Sequence, residues 1–302
     1  MNPPELVLDI HGLTRRFGDR VAVDDLSLAV PAGSVCGLVG PNGAGKTTTI
    51  RLLLGLLRPD SGEGTVLGLP ITDPAAYLPR VGALIEGPAF YPGLTGRENL
   101  TVLARLSALD GSHVERALRR VELADRADDR YKAYSLGMKQ RLGIAAALLG
   151  DPDLVFLDEP TNGLDPAGIR EMRGLMAGLA QDGTTVLVSS HLLSEVGAVC
   201  DHVVVMARGS LRYSGRVEDL AGDEPRISLR AEDPADLAGL AALATGMGYP
   251  GAIRDDDLVI TAPAAQAGEL NRRAMLEGIT LVRIEPHAMD LEDAFFSLTG
   301  AA

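Results

Sequence analysis

The spacing of hydrophobic and polar positions changes several times along the chain, and each change marks an element. Leu6-Val7-Leu8-Asp9-Ile10 and Val21 to Val30 read as strands, the second alternating apolar and polar through Asp25-Leu26-Ser27-Leu28. Pro31-Ala32-Gly33 predicts a turn, and Ser34-Val35-Cys36-Gly37-Leu38-Val39 predicts a short apolar strand. A glycine-rich loop follows, after which Thr47 to Leu57 has the composition of a helix ended by Arg58-Pro59. Leu154-Val155-Phe156-Leu157 and Thr184-Thr185-Val186-Leu187-Val188 are buried-strand runs, each followed by a loop and a helix. That succession predicts an α/β fold whose parallel sheet is covered on both faces. Between these units, about 96–149 reads as a helical subdomain, and its first helix opens on the capping box Thr95-x-x-Glu98.

The character of the chain shifts near residue 220. Residues 221–302 hold 14 acidic and 6 basic residues, so this segment carries −8 of the overall −13. Arg226 to Arg230, Asp257 to Thr261 and Ile279 to Glu285 read as strands, alternating with helical runs at Pro234 to Met247 and Ala264 to Leu276. The expectation is a main domain over 1–220 and a small α+β accessory domain over 221–302 with a split βαβ layout.

Composition narrows the function classes. With 302 residues, 46% hydrophobic and 23% charged, the chain is globular and neither disordered nor fibrous. An excess of 41 acidic over 28 basic residues argues against nucleic acid as a partner, because a sequence-independent grip on phosphate backbones needs clustered Lys and Arg. The longest apolar run, Leu142 to Gly150, is short of the roughly 18 to 20 residues that cross a bilayer. The N-terminus MNPPELVLD has no basic segment leading into an apolar stretch, so neither a membrane span nor a signal peptide is expected. Cys36 and Cys200 are far apart, each inside or beside an apolar run, and are expected to be two buried thiols in a reducing cytoplasm. Asn99-Leu100-Thr101 matches a glycosylation acceptor, which means nothing in a cytosolic chain.

The chemistry concentrates first at Gly40-Pro41-Asn42-Gly43-Ala44-Gly45-Lys46-Thr47, followed by Thr48, which fits G-x-x-x-x-G-K-[ST] between a predicted strand and a predicted helix. Glycines let successive N–H groups turn inward around an anion, and the helix N-terminus adds partial positive charge. Lys46 is then placed to reach the β- and γ-phosphates, and the Thr47 hydroxyl to ligate Mg²⁺. The second concentration is Asp158-Glu159 at the end of the apolar strand Leu154 to Leu157. Asp158 can hold Mg²⁺ through water, and Glu159 is placed to polarise a water for attack on the γ-phosphate. These residues describe a P-loop NTPase that uses Mg²⁺.

A narrower resemblance enters at Tyr134-Ser135-Leu136-Gly137-Met138-Lys139-Gln140-Arg141, which is similar to the signature L-S-G-G-Q of ATP-binding cassette (ABC) ATPases. Ser135 and Gly137 are kept, while Tyr134, Leu136 and Met138 replace the rest. The order of motifs over roughly 5–220 matches the family: Phe17, the phosphate loop, a loop at Glu86, the signature, the acidic strand, Gly163-Leu164-Asp165-Pro166, and His191 after a strand. The resemblance implies that the nucleotide is ATP, that Phe17 stacks on adenine and that Ser135 and Gly137 present donors to ATP held on a second subunit. It further implies that Asp165 links the subunits beside the attacking water and that His191 contacts the γ-phosphate. The implied assembly is a head-to-tail homodimer with two ATP molecules between its halves. His11, His113, His202 and His287 fall outside any motif and read as structural or surface residues.

Glu86, in Val81-Gly82-Ala83-Leu84-Ile85-Glu86-Gly87-Pro88, stands where most of the family carries glutamine. A carboxylate can also ligate Mg²⁺, but it adds negative charge near the γ-phosphate, so turnover is expected to be altered and not lost. The run from Ile85 to Leu100 resembles the branch serving bacitracin and lantibiotic exporters, where Glu is typical, and Asp290 to Gly300 resembles the tail of drug-resistance ATPases. In that tail Leu291, Ala294, Phe295 and Leu298 share one helix face, which suits docking. The resemblance therefore implies the ATPase subunit of a bacterial exporter, driving an integral membrane permease on a separate chain from the cytoplasmic face. Two other readings stay open at this point: a soluble ABC ATPase of translation or repair, and a non-catalytic module gated by nucleotide.

Overall fold

The computed structural model describes residues 5–87, 89–220, 225–288 and 291–299. Residues 1–4, Pro88, Asp290 and Gly300, quoted above, lie outside the described residues, as does the side chain of His287. The chain divides into two compact units, residues 1–217 with 295–302, and residues 218–294.

The first unit is built on a six-stranded sheet. Its spatial order is Ser210–Arg216, His202–Ala207, Val35–Val39, Thr185–Ser190, Leu154–Asp158 and Val81–Leu84. The last five run parallel, and Ser210–Arg216 joins as an antiparallel edge. Val35–Val39, Leu154–Asp158 and Thr185–Ser190 are buried at every residue, as strands covered on both faces must be. A second, antiparallel sheet has the order Arg20–Pro31, Leu6–Phe17, Ser61–Val66, Leu69–Pro70. One core joins the two sheets around the helix Lys46–Leu53, packing Ile50 and Leu53 with Leu8, Ile10, Leu38 and Phe156.

That helix is shorter than its composition predicts. Gly55 takes φ +67, and Leu56 N–H donates back to the Arg51 carbonyl at 2.9 Å, so a left-handed glycine closes the helix before Arg58-Pro59. Ser61–Val66 gives no alternating pattern, because its glycines serve close backbone approach: a Cβ on Gly64, at φ +144, would stand 2.2 Å from the Asp9 carbonyl oxygen. The helical region begins with Gly96–Leu106, where Thr95 and Glu98 form both halves of the capping box. Gly111–Arg120 and Leu136–Ala147 follow.

The second unit runs β-α-β-β-α-β. Its sheet has the order Gly251–Arg254, Asp257–Thr261, Pro225–Ala231, Leu281–Ala288 and is antiparallel throughout. Ile227, Leu229, Leu258 and Ile260 pack with Leu240 and Ala244 of the helix Leu237–Gly246 and with Leu270 and Ala274 of the helix Ala267–Leu276. The hairpin strand Gly251–Arg254 had no sequence signal, since none of its four residues is buried. A last helix, Leu291–Thr299, buries Ala294 and Phe295. Both cysteines are free and buried.

Candidate functional site

Sheet order gathers the motifs. The phosphate loop follows Val39, His191 follows Ser190, Glu159 follows Asp158, and Glu86 lies two residues past Leu84. All four leave the carboxyl ends of parallel strands, and the sheet changes direction of assembly around Val35–Val39, which lies between His202–Ala207 and Thr185–Ser190. Crevices at such switch points are where open α/β sheets bind ligands.

The loop itself is shaped by glycine. Gly43 and Gly45 take φ +80 and +107, values that side chains resist, and Gly45 is the N-cap of Lys46–Leu53. A Cβ on Gly40 would stand 2.2 Å from the Met206 carbonyl oxygen, so that position admits only glycine. The first N–H groups of the helix therefore point into a cavity of about 350 Å³, whose walls include Asn42, Thr48, Glu159, Asn162 and His191. An anion at this place meets both unpaired N–H donors and the positive end of the helix.

Lys46 is 6% exposed. Its ammonium donates to the Gly40 carbonyl at 2.7 Å and stands 3.2 Å from Glu159 Oε1. The other carboxylate oxygen of Glu159, Oε2, meets His191 Nδ1 at 2.8 Å. One carboxylate thus binds both the loop lysine and the histidine. Behind it, the Thr47 hydroxyl donates to Asp158 Oδ2 at 2.8 Å, and the Ser189 hydroxyl donates to Asp158 Oδ1 at 2.5 Å. The same Ser189 oxygen accepts from the Glu159 N–H at 2.9 Å. Burying Asp158 is tolerated because both its oxygens are met by hydroxyls. Glu159 itself takes φ +49, a left-handed conformation that costs about 1–3 kcal/mol in a non-glycine residue and collects at functional sites.

Glu86 also takes φ +60, and its exposed side chain is ion-paired with Arg51 on the helix after the phosphate loop. It does not line the phosphate cavity. Phe17, 45% exposed, ends its strand at the turn before Arg20, with the Arg15 guanidinium 4.9 Å from its ring centre.

Ser135, Gly137 and Asp165 come together elsewhere. Ser135 caps the helix Leu136–Ala147 by accepting from Met138 N–H at 3.2 Å. Asp165 caps Pro166–Gln181 by accepting from Gly168 N–H at 2.8 Å. Both line a second cavity of about 350 Å³, which shares no residue with the first. Within one chain, then, the signature and the phosphate loop line two separate cavities.

Four contributors escaped the sequence reading. Ser189 and Asn162 carry no motif of their own, and the pairing of Asp158 with Ser189 exists only in the sheet register. Arg20 lines the phosphate cavity, and its place three residues after Phe17 was the available signal. Arg141, within the signature run itself, donates to the Val121 carbonyl, Glu122 and Glu171 at 2.8 to 3.0 Å and ties the signature helix to its neighbours.

A model of the ABC transporter family matches residues 23–162. The chain is 38% identical to a bacitracin transport ATP-binding protein of Enterococcus faecalis, over 98% of this chain and 97% of that protein. It is 34% identical to a daunorubicin resistance ATP-binding protein of Streptomyces coeruleorubidus, over 98% and 96% of the two chains. Among solved structures, an ATP-binding subunit of an ABC transporter superposes with a TM-score of 0.62 at 31% identity, covering 71% of this chain and 91% of that one. A phosphate-loop cavity at the sheet's switch point, a separate cavity at the signature and full-length kinship lead to one conclusion: the chain belongs to the ABC transporter family, as one of its nucleotide-binding ATPases.

Proposed function

We propose that this chain is the ATPase subunit of a bacterial exporter that energises a membrane permease on another chain, from the cytoplasmic face, for the removal of a drug or peptide antibiotic. Full-length kinship to bacitracin transport and daunorubicin resistance proteins supports the cargo class. The observation that carries the mechanism is the contact of Glu159 with both Lys46 and His191.

ATP enters the cavity by its phosphates, which take up the N–H groups of the loop and displace Glu159 from Lys46. Phe17 stacks on the base. The Thr47 hydroxyl and Asp158 Oδ2, converging at 2.8 Å, are hard oxygen donors of the kind Mg²⁺ takes when phosphates and water complete its shell. Bound there, Mg²⁺ would neutralise charge on the β- and γ-phosphates. Glu86 approaches that position only by leaving Arg51. Released from Lys46, Glu159 accepts a proton from water as the water oxygen attacks the γ-phosphorus, the bond to the β–γ bridging oxygen breaks, and ADP leaves with that electron pair. His191, held by Glu159, stands beside the transferring group.

Ser135 and Gly137 complete the site from a second copy. The two half-sites of one chain are separate cavities, and a head-to-tail pair brings each signature helix N-terminus onto the other copy's γ-phosphate. Closure and hydrolysis are then coupled.

The test is affinity purification of the Glu159→Gln protein, with Mg-ATP, from gently solubilised membranes of its own host. A polytopic membrane protein in stable ratio, whose deletion with this gene raises drug sensitivity, is the expected result. Ribosomal or DNA-bound partners without a membrane protein would overturn the exporter reading.

A further inference from the structure

The cavity around the phosphate loop contains a cation that the mechanism above leaves unused. Arg20 opens the strand Arg20–Pro31 after a two-residue turn at Gly18-Asp19, and it stands opposite Phe17 in the ladder. Residues directly opposite in an antiparallel pair project from the same face. Ala22, two residues on and so on that same face, lines the phosphate cavity together with Arg20. The guanidinium hangs over the loop: its Nη2 is 3.6 Å from the point where a Cβ on Gly43 would sit.

Charge balance gives this position a use. Lys46 is already held by Glu159 and by the Gly40 carbonyl. Arg20, by contrast, enters no hydrogen bond or ion pair among the described residues. Arg20 is exposed at the hairpin tip, where a solvated arginine is common, but it also lines the phosphate cavity. It faces a glycine loop built for anions, and a guanidinium offers paired donors that match two phosphate oxygens.

We propose that Arg20 binds the α- and β-phosphates of the nucleotide, so that one tight turn supplies both base recognition, through Phe17, and a phosphate clamp, through Arg20. The proposal rests on nucleotide binding at the phosphate loop. Lys46 serves the β/γ end and Arg20 the end nearer the base, and the contact is made equally to ATP and ADP. Because it does not change as the γ-phosphate transfers, it contributes to binding and not to the chemical step.

The experiment measures affinities of Arg20→Gln, Arg20→Lys, Arg16→Gln and Lys46→Ala for ADP, for the β,γ-imido analogue of ATP and for adenosine, by calorimetry, with thermal melts to confirm folding. Arg20→Gln is expected to weaken ADP and the ATP analogue alike by about ten-fold and to leave adenosine unchanged. In steady state its KM rises while kcat stays within two-fold. Arg20→Lys recovers part of the loss, and Arg16→Gln, on the same hairpin, behaves as wild type. Unchanged ADP affinity in Arg20→Gln, a loss confined to the ATP analogue, or an equal loss for adenosine would overturn the proposal. Lys46→Ala separates the two failures: if it too binds ADP and the ATP analogue normally, the nucleotide site itself is misplaced.

Discussion

The Glu159 carboxylate stands 3.2 Å from the Lys46 ammonium, both side chains being largely withdrawn from water. In the proposed mechanism the acid that acts on water is thereby also the counter-ion of the lysine that receives phosphate. On that mechanism ATP binding breaks this pair, and the same residue then sets both the affinity and the rate.

Glu159→Gln separates these roles. It removes the anion that competes with phosphate for Lys46, so ATP affinity should stay equal or rise, while turnover falls by at least about 100-fold with loss of the general base. Equilibrium binding and single-turnover hydrolysis on the same preparation check both halves. Unchanged turnover would remove Glu159 as base, and weaker binding would remove the competition between its carboxylate and phosphate.

Asp158 and Glu86 make contrasting predictions for the divalent ion. Asp158 Oδ2 faces the Thr47 hydroxyl, whereas Glu86 is turned to Arg51. Asp158→Asn should raise the Mg²⁺ concentration for half-maximal hydrolysis by about ten-fold or more, through loss of a charged ligand. Glu86→Gln should shift it by less than about three-fold, the pair with Arg51 being exposed and worth little. A Mg²⁺ titration of ATPase activity decides. A larger effect at Glu86 would mean that it leaves Arg51 and ligates the ion during turnover.

The contrast between these two acids also shows what could be read from the sequence. The phosphate loop was legible because glycine, lysine and threonine at fixed spacing describe a local object, one strand–loop–helix turn. The capping box at Thr95 and Glu98 was local in the same way. Ser189 was not legible, since its partnership with Asp158 depends on two strands that lie 31 residues apart in sequence and pair in parallel. Ser61–Val66 was not assigned for the opposite reason: it lacks the alternation of a strand, because its glycines sit where the backbone of Leu6–Phe17 passes too close for side chains. That Ser135 and Asp165 share one cavity follows from neither helix alone, because it depends on how the two N-termini pack.

Gly82 tests the packing of the signature helix. A Cβ there would stand 2.1 Å from the Ala147 carbonyl oxygen, at the end of the helix that starts beside Ser135. Neither backbone can yield without moving the strand or the helix, so Gly82→Ala should destabilise by about 1–3 kcal/mol. Gly174, inside the helix Pro166–Gln181 with open space around it, should gain up to about 1 kcal/mol as alanine. Denaturant unfolding of the two variants should therefore move in opposite directions, and equal midpoints would contradict the tight contact at Gly82.

Cys36 makes the alkaline limb of stability measurable. It is fully buried in the phosphate-loop strand, and burial first, with Asp201 second, pushes its thiol from an ordinary value near 9 up to about 12. Burial also raises Cys200, to which Cys36 contributes in turn. Between about pH 9 and 12 the unfolded chain gives up a proton that the folded chain keeps, so the folded state loses stability as pH rises through this window, and the contribution is complete below pH 9. Cys36→Ala removes one such group, and its stability should fall less steeply over that range, even though its stability at neutral pH drops through lost packing. At pH 8 neither thiol should react with iodoacetamide until the protein is unfolded, because a buried neutral thiol is not a nucleophile. Parallel alkaline limbs for wild type and Cys36→Ala, or rapid alkylation of Cys36 in the native protein, would mean that the strand beneath the phosphate loop opens to water far more readily than its packing implies.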